Sequence, residues 1–216
     1  MVNSLAQTLI KITVPGVPDF YQGTELWDFS LVDPDNRRSV DFALRAALLE
    51  GLRERIAAGD LADLARELVE RWEDGRIKLY TIHRALTHRR LVREIYQMGE
   101  YIPLPTGGSW SRHLCAFARR KGRRVALTVV PRLVARLTDN GARLPLGQEA
   151  WEDTWVALPS GLPEGSYVNL FTGAEVGMAT TPVGPALLAG EILAEFPVGL
   201  LDAQSGVPLA SGKEIG

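Results

Sequence analysis

With one cysteine, Cys115, in 216 residues, no disulfide can close within the chain, and a reducing, cytoplasmic setting is expected. Cys115 lies in an apolar run, which predicts an inert packed thiol rather than a nucleophile. Histidine is also scarce. His83 and His88 are not three or four residues apart and no cysteine or acidic cluster accompanies them, so neither a metal site nor any other cofactor is expected. His113 alternates with Cys115 and Phe117, which predicts a packed strand position. Neither sign of charge dominates: 24 Lys and Arg face 26 Asp and Glu, a net charge of -2 that offers no surface for nucleic acid. No apolar run approaches the roughly 20 residues of a membrane span. The N-terminus has no basic region followed by an apolar core, so no signal peptide is expected. Internal repeats and low-complexity tracts are missing as well.

What is present is a change of period. Leu5, Leu9 and Ile12 recur at helical spacing. Asp41–Ala58 reads as a helix with Phe42, Leu49, Leu52 and Ile56 on one face, ended by Gly59. Asp60 caps a further helix that carries Leu61, Leu64, Leu68 and Trp72 on one face. Asp74-Gly75 is a turn, and Arg76–Met98 is mostly helical. In that stretch Leu79, Ile82 and Leu86 form one stripe, Leu91, Ile95 and Met98 another, and the many arginines a solvated face. Near residue 100 the pattern shifts to period two. Pro103, Pro105, Gly107 and Gly108 mark a boundary. Ser111–Ala118 and Arg123–Val130 read as strands joined by a Lys121-Gly122 turn, with Arg119-Arg120-Lys121 as a charged tip that protects an edge. Trp155–Leu158, Tyr167–Phe171, Leu187–Leu188 and Ile192–Phe196 follow as short strands separated by Gly and Pro, which predicts a small antiparallel β-sandwich. Trp110, Trp151 and Trp155 are expected to serve its core rather than to stack on a sugar. Arg143–Gly147 and the tail after Ala203 read as irregular surface.

The stretch with the most chemistry is Thr13–Trp27. Pro15 and Pro18 cannot donate to a sheet ladder, so the expectation is a short strand that opens into a loop. Asp19, Tyr21, Gln22 and Glu25 suit sugar recognition, with a ring to stack and amide and carboxylates to bond hydroxyls. The same residues suit an ordinary turn. Next come Asp33, Asp35, Asn36, Arg37 and Arg38. These read either as hydroxyl ligands, with Arg forks orienting carboxylates, or as an ion-pair network that only fixes a loop.

Pro15-Gly16-Val17-Pro18-Asp19-Phe20-Tyr21-Gln22-Gly23-Thr24-Glu25 resembles the segment leaving the eighth barrel strand in the α-amylase clan of glycoside hydrolases. The longer string through Trp27-Asp28-Phe29-Ser30-Leu31-Val32-Asp33-Pro34-Asp35-Asn36-Arg37-Arg38-Ser39-Val40-Asp41-Phe42 resembles one branch, the maltooligosyl trehalose synthase family, which usually has proline at the position of Ser39. The resemblance continues at Asp74-Gly75-Arg76-Ile77-Lys78-Leu79, Gly99-Glu100-Tyr101-Ile102-Pro103-Leu104, Val130-Pro131-Arg132-Leu133, Trp151-Glu152-Asp153-Thr154, Phe171-Thr172-Gly173 and Phe196-Pro197-Val198-Gly199-Leu200-Leu201.

This resemblance implies an α+β chain. Residues 1–40 are the end of a (β/α)8 barrel, 41–100 a helical segment, 101–203 a C-terminal antiparallel β-sandwich and 204–216 a tail. A whole barrel takes about 250 residues, so the chain corresponds to the C-terminal part of a longer enzyme. The implied reaction isomerises the reducing-end α-1,4 link of a maltooligosaccharide to an α,α-1,1 link, without metal or organic cofactor. A maltooligosyl trehalose trehalohydrolase is the implied pathway partner. The family's catalytic carboxylates come from barrel strands four, five and seven, so no catalytic residue is assigned in this chain, Asp19 and Glu25 included. Asp19, Tyr21, Gln22, Glu25, Asp33, Asp35, Asn36, Arg37 and Arg38 are the implied substrate wall. The alternatives are another hydrolase or glucanotransferase of the clan, or a non-catalytic carbohydrate-binding domain.

Overall fold

The computed structural model describes residues 1–141 and 143–203. The predicted tail at 204–216 lies outside them. Five helices come first: α1 (Val2–Thr13), α2 (Phe42–Ala57), α3 (Leu61–Glu70), α4 (Arg76–Leu91) and α5 (Arg93–Met98). Then follow β1 (Glu100–Pro103), β2 (Thr106–Gly107), β3 (Leu114–Lys121), β4 (Arg124–Pro131) and α6 (Gly147–Trp151). The chain continues with β5 (Trp155–Ala157), β6 (Tyr167–Asn169), β7 (Glu175–Val176), β8 (Ala179–Thr181), β9 (Gly184–Leu188), α7 (Ala189–Ile192) and β10 (Gly199–Ala203). No described helix is long and apolar enough to cross a membrane.

All strand pairs are antiparallel, in two sheets of order β1-β3-β4-β10-β6-β7 and β2-β5-β9-β8. The period-two rule assigns the faces of the larger sheet. Leu114, Ala116 and Ala118 of β3, Val125, Leu127 and Val129 of β4, and Leu201 of β10 join a core with Val156 and Leu187 of the smaller sheet and Trp151 of α6. The intervening Cys115, Val130 and Leu200 join the core built by the helices. The larger sheet is thus covered on both faces, which explains the nearly continuous apolar run Val125–Val130. That second core also takes Leu5, Leu9 and Ile12 of α1, Leu64 and Leu68 of α3, and Ile77, Leu79, Tyr80, Ile82 and Ala85 of α4. Helical segment and sheet therefore share one core.

An aromatic group locks them. Phe171 and Phe196 stack at 4.9 Å, and the Tyr80 ring meets Phe196 edge-on at 5.9 Å. The Tyr80 hydroxyl donates to the Phe171 carbonyl at 2.6 Å, and burial pushes this phenol up to about 12.

Several expectations are corrected. No strand forms at Thr13–Gly23. Thr13 ends α1, and the two prolines that follow, with no strand beside them, leave the backbone irregular. β3 starts at Leu114, because Ser111–His113 is a 3-10 turn. His113 is accordingly half-buried on that turn, not packed in a strand. Ile192–Phe196 is no strand. Ile192 ends the short α7, a turn and bends follow up to Pro197, and the last strand is β10. Cys115 is half-buried rather than fully buried. The apolar Phe42, Leu91 and Met98 are exposed rather than packed into a core.

The arginines depart most from expectation. Arg84 donates twice to the Leu170 carbonyl, at 2.8 and 2.6 Å. Arg89 reaches the Ile12 and Gly16 carbonyls at 2.5 and 2.6 Å. Arg119, expected at an exposed hairpin tip, is only 2% exposed and donates to four carbonyls: Thr13, Tyr96, Gly99 and Glu100. Main-chain acceptors leave no trace in side-chain patterning, so these contacts are invisible to periodicity.

Candidate functional site

The loop between α1 and α2 holds every residue predicted to face a sugar. It is fixed at both ends. Arg89 grips the C-terminus of α1, and Lys11 sits 3.9 Å over the Phe20 ring. At the far end the Trp27 indole donates to the Trp72 carbonyl at 2.6 Å, and Lys78 donates to the Leu26 carbonyl at 3.3 Å. Gly75, with φ of +80°, lies so close beneath that a Cβ would come within 3.1 Å of the Trp27 nitrogen. The Asp74-Gly75-Arg76-Ile77-Lys78-Leu79 motif is therefore a seat for the loop.

Between these anchors Asp19, Tyr21 and Gln22 are exposed. Thr24 folds the chain back by donating its hydroxyl to the Tyr21 carbonyl at 2.7 Å. Glu25 is not free. Its carboxylate receives Arg45 Nε at 3.0 Å, while the same guanidinium donates to the Gly23 carbonyl at 2.7 Å. Arg45 was missed in the sequence reading. Its only local sign is its place one turn after Asp41, which caps α2 by accepting from the Leu44 N–H at 2.8 Å. Glu25 is therefore engaged by Arg45, whereas Asp19 is exposed.

In the second part of the loop, Asp33 accepts from Arg37 at 2.9 Å, and Asp35 pairs with Arg38. Asp35 also accepts the Leu31 N–H at 2.7 Å, and that bond, with Arg38, holds its carboxyl below the usual range. Asp28 is lowered likewise, chiefly by the Ser30 hydroxyl. The Asn36 side-chain oxygen is buried with no hydrogen-bond partner. The ion-pair network thus exists, and it presents Arg37, Arg38 and Asp33 outward on a fixed turn over Asp35–Arg37. In the same loop Val17, Phe29, Leu31 and Val32 are exposed. Of the tryptophans, Trp151 is buried core, with its indole on the Pro145 carbonyl, while Trp110 and Trp155 are half-buried.

No family model matches the chain. A Mycobacterium tuberculosis (strain CDC 1551 / Oshkosh) protein that carries the name maltooligosyl trehalose synthase is 35% identical over 199 residues, 92% of this chain. The solved maltooligosyltrehalose synthase of Arthrobacter ramosus superposes with a TM-score of 0.70 at 35% identity over 94% of this chain. This chain is homologous to the C-terminal part of maltooligosyl trehalose synthase. It spans only about a fifth of those relatives, 20% of the mycobacterial protein and 22% of the Arthrobacter chain. A cyclomaltodextrin glucanotransferase with a three-domain ABC distribution, at 16% identity and a TM-score of 0.52, shares the fold alone. The likeness to maltooligosyl trehalose synthase runs over both the sugar-loop candidates and the sheets.

Proposed function

We propose that this chain supplies the C-terminal part of an enzyme that isomerises the reducing-end α-1,4 link of maltooligosaccharides to the α,α-1,1 link of trehalose, in the cytoplasm and upstream of a trehalohydrolase. The observation that carries this is the 35% identity to maltooligosyl trehalose synthase across 92% of the chain. On this reading residues 1–40 close a β/α barrel, 41–100 form a helical segment and 101–203 a β-sandwich. The exposed apolar Val17, Phe29, Leu31 and Val32 favour a barrel as the neighbour of the first part.

Asp19, Tyr21, Gln22, Glu25, Asp33, Asp35, Asn36, Arg37 and Arg38 then form the wall of the sugar cleft, since barrel active sites lie at the C-terminal ends of the strands. The carboxylate nucleophile and the acid belong to the portion of the relatives beyond the aligned fifth. The course is retaining. The nucleophile takes the anomeric carbon, the acid gives its proton to the departing 4-oxygen, and glucose is released into a closed site. Glucose then turns, loses the proton of its anomeric hydroxyl to the same residue now acting as base, and attacks the glycosyl-enzyme to expel the nucleophile. Water must be kept out during the turn, or hydrolysis competes. Arg37 and Arg38, each paired with a carboxylate, are on this reading donors that orient the glucose as it turns.

The test is maltopentaose turnover, read by chromatography for a non-reducing product and for glucose. The chain alone is expected to give neither. A chimaera that joins it to the preceding four-fifths of the Arthrobacter enzyme is expected to give the non-reducing product. A folded chimaera that releases only glucose and shorter chains would assign the chain to a hydrolase instead.

A further inference from the structure

Two of the segments that carry the family resemblance, Val130-Pro131-Arg132-Leu133 and Trp151-Glu152-Asp153-Thr154, play no part in the sugar loop. In the fold both converge on the loop Thr106–His113. From the first, the Arg132 N–H donates to the His113 carbonyl at 2.8 Å, and the Leu133 carbonyl lies 2.9 Å from His113 Nδ1. From the second, Asp153 accepts the Ser109 N–H at 2.7 Å, Thr154 Oγ1 accepts the Trp110 N–H at 3.0 Å, and Glu152 accepts the Trp110 indole at 3.1 Å. Leu133 and Glu152 hold positive φ of 52° and 50°, which few non-glycine residues adopt. The loop itself is pressed home: a Cβ on Gly107 would fall 2.0 Å from the Trp155 ring. Such bracing exceeds what a surface connection needs.

Beside the braced loop opens a cavity of about 540 Å³, lined by Thr106, Ser111, Arg112, Leu114, Arg132 and Leu133. That volume is in the range of small-molecule sites, about 300–1,000 Å³. Two of its lining residues are arginines, both exposed, and none is acidic. Among the described residues neither Arg112 nor Arg132 forms an ion pair. The sugar loop differs, since there Arg37, Arg38 and Arg45 are each neutralised by a carboxylate. Two cationic residues lining one concave surface favour an anion over a neutral sugar. Guanidinium forks match the oxygens of an oxyanion. The Thr106 hydroxyl is committed to the Ser111 carbonyl at 3.0 Å. Trp110 offers no free stacking platform, because its indole bonds Glu152 and its ring meets His113 edge-on at 5.2 Å. We propose that this cavity is an oxyanion site for a phosphate group, free or carried on a sugar, separate from the sugar loop.

The experiment uses the 216-residue chain at low ionic strength, with calorimetry and phosphorus-31 line broadening. Probes are inorganic phosphate, glucose 6-phosphate and glucose. Variants are R112A, R132A and R132Q, with R123A/R124A as a control for general charge at the exposed hairpin. Circular dichroism checks folding, and R132Q stands in should R132A not fold. Glucose 6-phosphate is expected to bind and glucose not. The Arg112 and Arg132 variants should each weaken binding about ten-fold or more, as loss of a charged hydrogen bond implies, and the control should not. Tighter binding of glucose 6-phosphate than of inorganic phosphate identifies a sugar phosphate, and equal binding a free anion. No binding at about 10 mM, a constant far above that of a specific site, overturns the proposal. So does glucose binding as well as its phosphate, or an equal loss in the control.

Discussion

Arg119 of β3 donates to the carbonyl of Thr13, the last residue of α1, at 3.1 Å. The same guanidinium reaches the Tyr96 and Gly99 carbonyls at 2.9 and 3.0 Å, so one side chain joins α1, the end of α5 and the start of β1. Burial depresses its proton affinity, with Arg89 nearby adding to the effect, yet at neutral pH it stays a cation. The carbonyls neutralise it in place of a carboxylate. R119M would strip several buried acceptors of their partner, at a cost of roughly 3 kcal/mol. The thermal midpoint should fall by roughly 6–12 °C for a domain of this size. R119K should recover little, because an ammonium lacks the planar fork that spans four carbonyls. Full recovery by lysine would show that charge alone matters.

Which parts of this design could be read beforehand follows from where the partners sit. Leu5, Leu9 and Ile12 were legible because a buried helix face repeats every three to four residues, and all three are fully buried. The Asp33–Arg37 and Asp35–Arg38 pairs were legible as a cluster because their members are three and four residues apart. Arg45 was not, since Glu25 lies 20 residues away. Arg119 was not, since its acceptors are backbone atoms from three elements. Phe42, Leu91 and Met98 show the opposite limit. Periodicity marks an apolar face but does not say what covers it.

Glu67 of α3 ties α2 to α4. It accepts from Arg55 at 2.8 Å and pairs with Arg76 at 2.9 Å, and these arginines also hold Asp60 and Asp74. The Arg55 bond first, then Arg76, lowers the Glu67 carboxyl from its ordinary 4.5, against the opposing effect of burial. A lowered folded-state value means that the unfolded chain binds the proton more readily. The stabilisation is present above 4.5 and is lost as pH falls through the folded value. E67Q should therefore cost up to about 1 kcal/mol at pH 7, and the difference should vanish in acid. Melting curves of both proteins across pH decide it. A gap that persists unchanged into strong acid would mean that packing, not charge, was lost.

Arg37 separates stability from turnover. Its pair with Asp33 is exposed on both sides, so R37A should cost less than about 0.5 kcal/mol. In an enzyme completed as proposed, the same change should lower kcat/KM about ten-fold or more, and R37K should not restore it, because a bidentate donor is lost. A clear drop in thermal midpoint with unchanged kinetics per folded molecule would leave the pair a purely structural role.

Gly108 and Gly122 test whether the bracing of the Thr106–His113 loop is real. Both have left-handed backbone, with φ of +87° and +60°. At Gly122, in the β3–β4 turn, a Cβ would meet nothing within 4 Å. G122A should therefore cost only the conformational penalty of about 1 kcal/mol. At Gly108 a Cβ would lie 2.5 Å from the Asp153 carbonyl oxygen and 2.7 Å from the Thr154 Cα. These are backbone atoms held by the Trp110 and Ser109 contacts, so they cannot step aside as a side-chain tip would. G108A should add an overpacking penalty of about 1–3 kcal/mol to the conformational one. Urea unfolding of the two variants gives the comparison. Equal losses would mean that the loop yields freely, and that the Asp153 and Thr154 contacts do not hold it in place.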